Sequence, residues 1–126
     1  RVLEPELAYI AASTANEEDI ERIKHAYEGM EKATTVEEFI EPDIQFHLAI
    51  AKATHNDLLA YMSKMLVLPL QQSIQVTSLR PNLQGHSLPR HKAILTAIEN
   101  KDPLSARHAS LVQLDDTKMA YDLIKK

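Results

Sequence analysis

Apolar residues recur at helical spacing along nearly the whole 126-residue chain, and short polar turns interrupt them. Leu7, Ile10 and Ala11 follow the i, i+3, i+4 rule of an amphipathic helix, whereas no segment alternates apolar and polar residues as a strand would. The composition, with only 2 glycines and 5% aromatic residues, also favours helices. The sequence therefore predicts an all-α domain, an antiparallel bundle of about six helices joined by short loops.

Capping residues and prolines divide the chain into these helices. Asn16 precedes three acidic residues as an N-cap does, and Thr35 with Glu38 forms a capping-box pattern. We expect Pro42 to kink or restart the third helix, and Pro69 to bend the fourth. A loop is predicted at Arg80–Gly85. The predicted helices run from Glu4 to about Ser13, from Asn16 to about Lys32, from Thr35 to near Thr54, from Leu58 to about Leu79, from Ser87 to Asn100, and from Asp102 to the C-terminus.

Charge and hydropathy exclude several classes of function. The formal net charge of −4 disfavours nucleic-acid binding by this part of the protein, because phosphate contacts need a basic face. No run of about 18 or more apolar residues is present, so no membrane span is predicted. The absence of cysteine removes disulfides and thiolate metal sites, and it fits a cytoplasmic protein. Because the chain begins at Arg1 rather than at methionine, we expect it to be part of a longer protein.

The segment from Asp43 to Asn56 carries the most informative side chains. Asp43 and His47 are four residues apart on a predicted helix, so a carboxylate and an imidazole lie on one face, one turn apart. They could share a hydrogen bond, or they could hold a metal or an acidic ligand. Facing helices offer His91 and Gln113 as partners, since helical bundles build their sites from several helices. Aspartate and histidine ligands suit zinc, nickel, iron or manganese and leave the identity of the metal open.

Two further stretches are candidates for a polar pocket. Beyond Pro69 the fourth helix becomes polar, and Gln72 and Gln75 share one stripe of its surface. Either the end of this helix emerges into solvent, or the two glutamines line a pocket. The last helix carries a narrow stripe of small and polar residues that includes Gln113, which leaves room for a neighbouring helix or for a ligand.

Four pieces of the sequence, in order, resemble the C-terminal ligand-binding domain of GntR-type bacterial transcription regulators, in the FadR-type subgroup known as the FCD domain. The resemblance covers nearly the whole chain, and the ordered combination is more specific than any single piece. The pieces are Glu4-Pro5-Glu6-Leu7-Ala8 through Ala11-Ala12, Asp43-x-x-Phe46-His47 followed after eight residues by Asn56, His91-Lys92-Ala93-Ile94-Leu95-Thr96-Ala97-Ile98, and Asp102-Pro103-x-x-Ala106.

The resemblance implies a helical bundle that binds a small organic or sugar acid, frequently beside a divalent metal held by one aspartate and three histidines. It carries the aspartate onto Asp43 and the first two histidines onto His47 and His91. Gln113 stands where the third histidine would fall, and an amide oxygen is a poorer ligand for a transition metal than imidazole. The arginine that family members often carry four residues before the position of Glu4 would precede this sequence.

We therefore expect residues 1–126 to form the effector-binding and dimerisation domain of a cytoplasmic, homodimeric transcription regulator that contacts DNA only through a winged-helix domain upstream. The metal or the effector would be held by Asp43, His47 and His91, and the pocket would be lined by Gln72, Gln75 and Gln113. Two alternatives remain open. One is a metalloenzyme built on a helical bundle, for which Glu41 is the spare carboxylate nearest to Asp43. The other is a structural interaction module in which Asp43 and His47 simply pair.

Overall fold

The computed structural model describes residues 3–66 and 83–113, which form six helical segments. Within these residues there is no strand, so the predicted all-α fold is confirmed. None of the described helices is long and apolar enough to cross a membrane. The helices are α1 (Leu3–Thr14), α2 (Glu17–Lys32), α3 (Val36–Lys52), α4 (57–66), α5 (Leu83–Glu99) and α6 (103–113).

Side-chain caps determine where α2 and α3 begin. The side chain of Asn16 accepts a hydrogen bond from the backbone N–H of Asp19 at 2.8 Å, and the carboxylate of Asp19 accepts from the N–H of Asn16 at 2.9 Å, a complete capping box. Thr35 caps α3 as predicted, but the carboxylate of Glu38 accepts from the N–H of Thr34 instead. The second capping box is therefore only half formed, because the glutamate reaches one residue further back.

Proline interrupts the helices less than the sequence predicted. Pro42 was expected to kink or restart the third helix; α3 continues through it, so the helix does not restart there. The predicted start at Ser87 is wrong, because α5 begins at Leu83 and contains Pro89 in its interior. A proline removes one backbone donor, and the helix can continue where the hydrogen bonds on either side remain. The predicted loop is thus helical from residue 83 to 85, and residues 80–82 lie outside the described part of the chain.

Close packing against α2 supports α3 at this proline. A Cβ atom placed on Gly29 would lie 3.1 Å from both Cβ and Cγ of Pro42, which is tighter than ordinary van der Waals contact. Glycine at this position therefore lets the two helices approach each other where the proline ring protrudes.

The hydrophobic core lies where α1 and α2 pack on α3 and α5. Ile23, Tyr27 and Met30 on α2 are buried, and Ile20 on the same apolar face is half-buried. Phe46 on α3 is fully buried among these helices. Burying an aliphatic or aromatic side chain of this size stabilises the fold by about 1.5–3 kcal/mol, so the core holds α3 and α5 in fixed positions.

Three turns meet at one end of the bundle. The hydroxyl of Thr14 donates to the carbonyl of Ala53 at 2.6 Å, and the ammonium of Lys101 donates to the carbonyl of Ala15 at 2.7 Å. These bonds join the turns that follow α1, α3 and α5, so the C-terminal ends of the three helices lie at the same end of the bundle. Side chains at equal distances from these turns therefore lie at similar heights in the bundle.

The fourth helix has an unusual surface. Asn56 caps it by accepting a hydrogen bond from the N–H of Leu59 at 3.1 Å. Leu59 packs against the core, and the buried Ser63 follows one turn later. The remaining large apolar side chains of α4 are exposed: Leu58, Tyr61, Met62, Met65 and Leu66.

Candidate metal centre

Helices α3 and α5 bring one carboxylate and two imidazoles together inside the bundle. Asp43 and His47 lie one turn apart on α3, and His91 faces them from α5. All three side chains are buried, and each offers one ligand atom within 4.8 Å of the other two. The structure thus brings together the three residues that the sequence analysis singled out as candidate ligands.

Both imidazoles direct Nε2 toward the same carboxylate oxygen. Oδ1 of Asp43 lies 2.9 Å from Nε2 of His91 and 3.2 Å from Nε2 of His47. Ligand atoms bound about 2.1 Å from a metal in tetrahedral or octahedral geometry stand roughly 3.0–3.4 Å apart. The two separations from Oδ1 are therefore close to those of ligand atoms around one metal ion.

The other nitrogen of each imidazole also has a partner. Nδ1 of His91 lies 2.8 Å from the backbone carbonyl oxygen of Ser87 and 3.1 Å from its hydroxyl. Nδ1 of His47 lies 3.5 Å from Oε2 of Glu4, at the long limit of a hydrogen bond. A proton on Nδ1 that is held by such an acceptor leaves the lone pair of Nε2 for a metal.

The sequence did not indicate that Glu4 is a member of this site. Its carboxylate is buried against His47, whereas the sequence suggested only that it opens α1 and belongs to a family motif. An acidic residue in the first turn of a helix is common, because it interacts favourably with the helix dipole. No local pattern distinguishes a buried glutamate from an exposed one here, since its burial depends on the packing of α1 against α3.

The electrostatics of the site favour a cation. Burial by itself would lower the pKa of His47, but the carboxylates of Asp43 and Glu4 outweigh it and raise the pKa to about 10. Burial likewise opposes the ionisation of Asp43, yet the charge on His91 and the hydrogen bonds from both imidazoles hold the pKa of this carboxyl well below its usual value. Without a metal, His47 is therefore a protonated cation between two carboxylates.

Phe46 packs against both imidazoles from within the core. Its ring meets His47 edge to face with centroids 5.8 Å apart, and it meets His91 in the same way at 5.0 Å. Edge-to-face contacts of this kind restrict ring rotation. The phenylalanine of the Asp-x-x-Phe-His motif thus helps to hold both candidate ligands.

Of the three glutamines predicted to line the pocket, only Gln113 lies in the described part of the chain. Gln113 is buried on α6, ten residues beyond Pro103 at the turn end of the bundle, and Asp43 is nine residues before Lys52 at the same end. At 1.5 Å per residue, both stand roughly 15 Å from that end. Gln72 and Gln75 lie outside the described residues.

Glu41 does not belong to the site. This carboxylate is exposed on α3 and accepts a hydrogen bond from the side-chain amide of Gln45 at 3.0 Å. It lies on the opposite side of the helix from the buried Asp43. The acid or base that the metalloenzyme hypothesis assigned to Glu41 is therefore not at the candidate metal centre.

Comparison with known proteins identifies the family. A family model described as the FCD domain matches residues 1–116. The chain belongs to the FCD domain family. The resemblance drawn from the four sequence pieces is thus confirmed.

Two curated relatives of this FCD domain come from Escherichia coli (strain K12). The chain is 36% identical to the Uxu operon transcriptional regulator, over 94% of this chain and 49% of that protein. It is 28% identical to the galactonate operon transcriptional repressor, over 90% of this chain and 50% of that protein. The chain therefore spans about half the length of the curated relatives it matches.

The fold of the FCD domain also matches a solved structure, that of Streptococcus agalactiae GntR. The TM-score is 0.76, and the match covers 94% of this chain and 54% of the other, at 24% sequence identity. The family match places this chain in the FCD domain family, and both curated relatives are named as transcriptional regulators of operons.

Proposed function

We propose that this FCD domain senses a small organic or sugar acid that binds at a divalent metal held by Asp43, His47 and His91. The proposal rests on one observation: the ligand atoms of these three side chains converge inside the bundle, and the buried carboxylate of Glu4 lies next to them. A divalent cation with two neutral imidazoles would balance the charges of Asp43 and Glu4. A bound metal supplies a positive charge and vacant coordination positions for an anionic ligand.

An acidic effector needs that positive charge. In the metal-free protein the protonated imidazole of His47 offsets only part of the charge of the two buried carboxylates, so a third carboxylate placed beside them would still be repelled in a site of low dielectric constant. No lysine or arginine in the described ranges forms an ion pair with Glu4 or Asp43. The charge pattern therefore supports an acid that binds with a metal over an acid that binds without one. Zinc, nickel, manganese and iron all suit this ligand set.

The rest of the pocket is proposed to be lined by amides. Gln113, Gln72 and Gln75 carry donors and acceptors together, which suits the hydroxyl groups of a sugar acid. One relative is named for a galactonate operon, and galactonate is a sugar acid. We therefore place sugar acids first among the candidate effectors.

The domain would act within a larger regulator. We assign DNA binding to a separate N-terminal domain, because residues 1–126 carry a net charge of −4. A homodimer is supported by the exposed apolar side chains of α4, among them Leu58, Tyr61 and Met65. An acid that binds one dimer geometry more tightly than another would shift the population toward it and so change operator affinity in the cytoplasm.

Calorimetric titration of the full-length protein tests this proposal. Sugar acids and dicarboxylates are titrated into wild type, with metal and after chelation, and into His47→Ala. We expect at least one acid to bind metal-loaded wild type and to bind chelated protein or His47→Ala about tenfold more weakly or worse. His25→Ala, which removes an exposed histidine on α2, is the matched control and should bind like wild type. Equal affinity of wild type and His47→Ala for every acid that binds would contradict the assignment.

A further inference from the structure

Glu4 is a buried acid that is not among the three candidate ligands. It is 9% exposed, and Oε2 lies 3.5 Å from Nδ1 of His47. Nε2 of the same imidazole faces Oδ1 of Asp43 at 3.2 Å. The ring of His47 therefore lies between two carboxylates, with one nitrogen directed at each.

We infer that Glu4 is a positioning residue for the metal centre: its carboxylate accepts the Nδ1 proton of His47 and so presents Nε2 to the metal. The inference rests on the proposed function, in which Asp43, His47 and His91 hold a divalent cation. A histidine that binds a metal through one nitrogen usually donates its other N–H to a carboxylate or carbonyl, and this bond sets both the tautomer and the direction of the ring.

The two histidines obtain this support from different sources. His91 uses the carbonyl of Ser87, which lies four residues earlier on the same helix, so its orientation is set within α5. His47 depends on Glu4, which belongs to α1 rather than to α3. The orientation of His47 is therefore sensitive to how α1 packs on α3, and that of His91 is not.

The neighbouring acid Glu6 provides a matched control. It lies in the same turn of α1, but its carboxylate pairs with the guanidinium of Arg107 on α6 at 2.9 and 3.0 Å. Removing Glu6 thus takes one carboxylate from the same turn without touching the metal centre.

The test measures zinc affinity of the full-length protein by competition with a chelator. We expect Glu4→Ala to bind zinc about 10–100-fold more weakly than wild type. Glu4→Gln keeps an acceptor of similar size, and it should recover most of that loss. Glu6→Ala should bind zinc like wild type. Circular dichroism on each variant establishes that it is folded, and Glu4→Met, which has a similar length and no carboxylate or amide, replaces Glu4→Ala in the comparison with Glu4→Gln if the alanine variant does not fold.

Imidazole ¹⁵N shifts of the zinc-loaded protein give a second readout. In wild type, His47 should show a coordinated Nε2 and a protonated Nδ1, and Glu4→Ala should change the His47 signals while leaving those of His91 in place. Zinc affinity that is equal in wild type and Glu4→Ala, or lowered equally by the alanine and glutamine variants, would overturn the role of Glu4 and leave the proposed metal site intact. Failure of wild type to bind any divalent metal would overturn both.

Discussion

Replacement of Asp43 by asparagine measures what the buried carboxylate contributes to the metal-free protein. Asp43 is 4% exposed, and its Oδ1 lies 2.9 Å from Nε2 of His91 and 3.2 Å from Nε2 of His47, so the variant leaves the protonated His47 without its nearest counter-charge. Removing one partner of a buried ion pair typically costs about 3–5 kcal/mol. The raised pKa of His47 sets an upper limit on this cost, since a shift from 6.5 to about 10 corresponds to about 5 kcal/mol at roughly 1.36 kcal/mol per pH unit and Glu4 supplies part of the shift. We therefore expect Asp43→Asn to lower the free energy of unfolding by about 3–5 kcal/mol.

The pH dependence of this loss follows from the direction of each shift. The pKa of His47 is raised by folding, so the stability that it contributes is fully present below its unfolded value of 6.5 and is lost as the pH rises through about 10. The pKa of Asp43 is lowered, so its contribution is present above the unfolded value of 3.8 and is lost as the pH falls through the folded value. The difference between wild type and variant should be greatest between pH 3.8 and 6.5 and should diminish toward pH 10.

Urea unfolding in a chelating buffer, followed by far-ultraviolet circular dichroism, measures this difference. Glu41→Gln is the control, since it makes the same chemical change on the exposed side of α3 and should alter stability by no more than about 0.5 kcal/mol. A loss below about 1 kcal/mol for Asp43→Asn, or a loss that grows toward pH 10, would refute the conclusion that Asp43 holds a protonated His47.

Three further results are expected. Phe46→Ala should cost about 3–5 kcal/mol in urea unfolding and should also weaken zinc binding, because both imidazoles lose the ring that packs against them. Gly29→Ala should fail to deliver the stabilisation of about 1 kcal/mol that a helical glycine-to-alanine change normally brings, because the new Cβ would lie 3.1 Å from the ring of Pro42; thermal unfolding checks this. Zinc affinity should fall as the pH is lowered from 8 to 6, because protons compete with the metal for His47; chelator competition at each pH measures it, and a flat profile would contradict the assignment of that ligand.

Local signals predicted the parts of the fold that depend on neighbouring residues. The caps at Asn16 and Thr35 each use a backbone N–H only three residues away, so their patterns are visible in the sequence. The start of α5 was misjudged, and a restart of α3 at Pro42 did not occur, because proline was weighed without its tertiary surroundings. In the structure Gly29 accommodates the ring of Pro42, and this contact joins two helices.

The same distinction explains which site residues could be predicted. Asp43 and His47 lie four residues apart on one helix, so their spacing alone placed them side by side. His91 is 48 residues from Asp43 in sequence, so helix packing made it only one candidate partner among others, and the family resemblance assigned it to the same site. Glu4 is as remote from His47, and an acid in the first turn of a helix is too common to stand out.

The position of the candidate metal centre suggests how the binding of an effector could change the arrangement of the helices. Glu4 on α1, Asp43 with His47 on α3, and His91 on α5 meet at one buried point, so the free energy of the site depends on the relative placement of three helices. A ligand can shift an equilibrium between two arrangements only by its difference in affinity for them, and a tenfold difference corresponds to about 1.4 kcal/mol. The contact between Glu4 and His47 joins α1 to α3 at this point. Glu4→Ala removes that contact. When the variant is saturated with metal, the acid should still change its operator affinity less than it changes that of wild type. Operator-binding measurements on both proteins, with and without the acid, would test this.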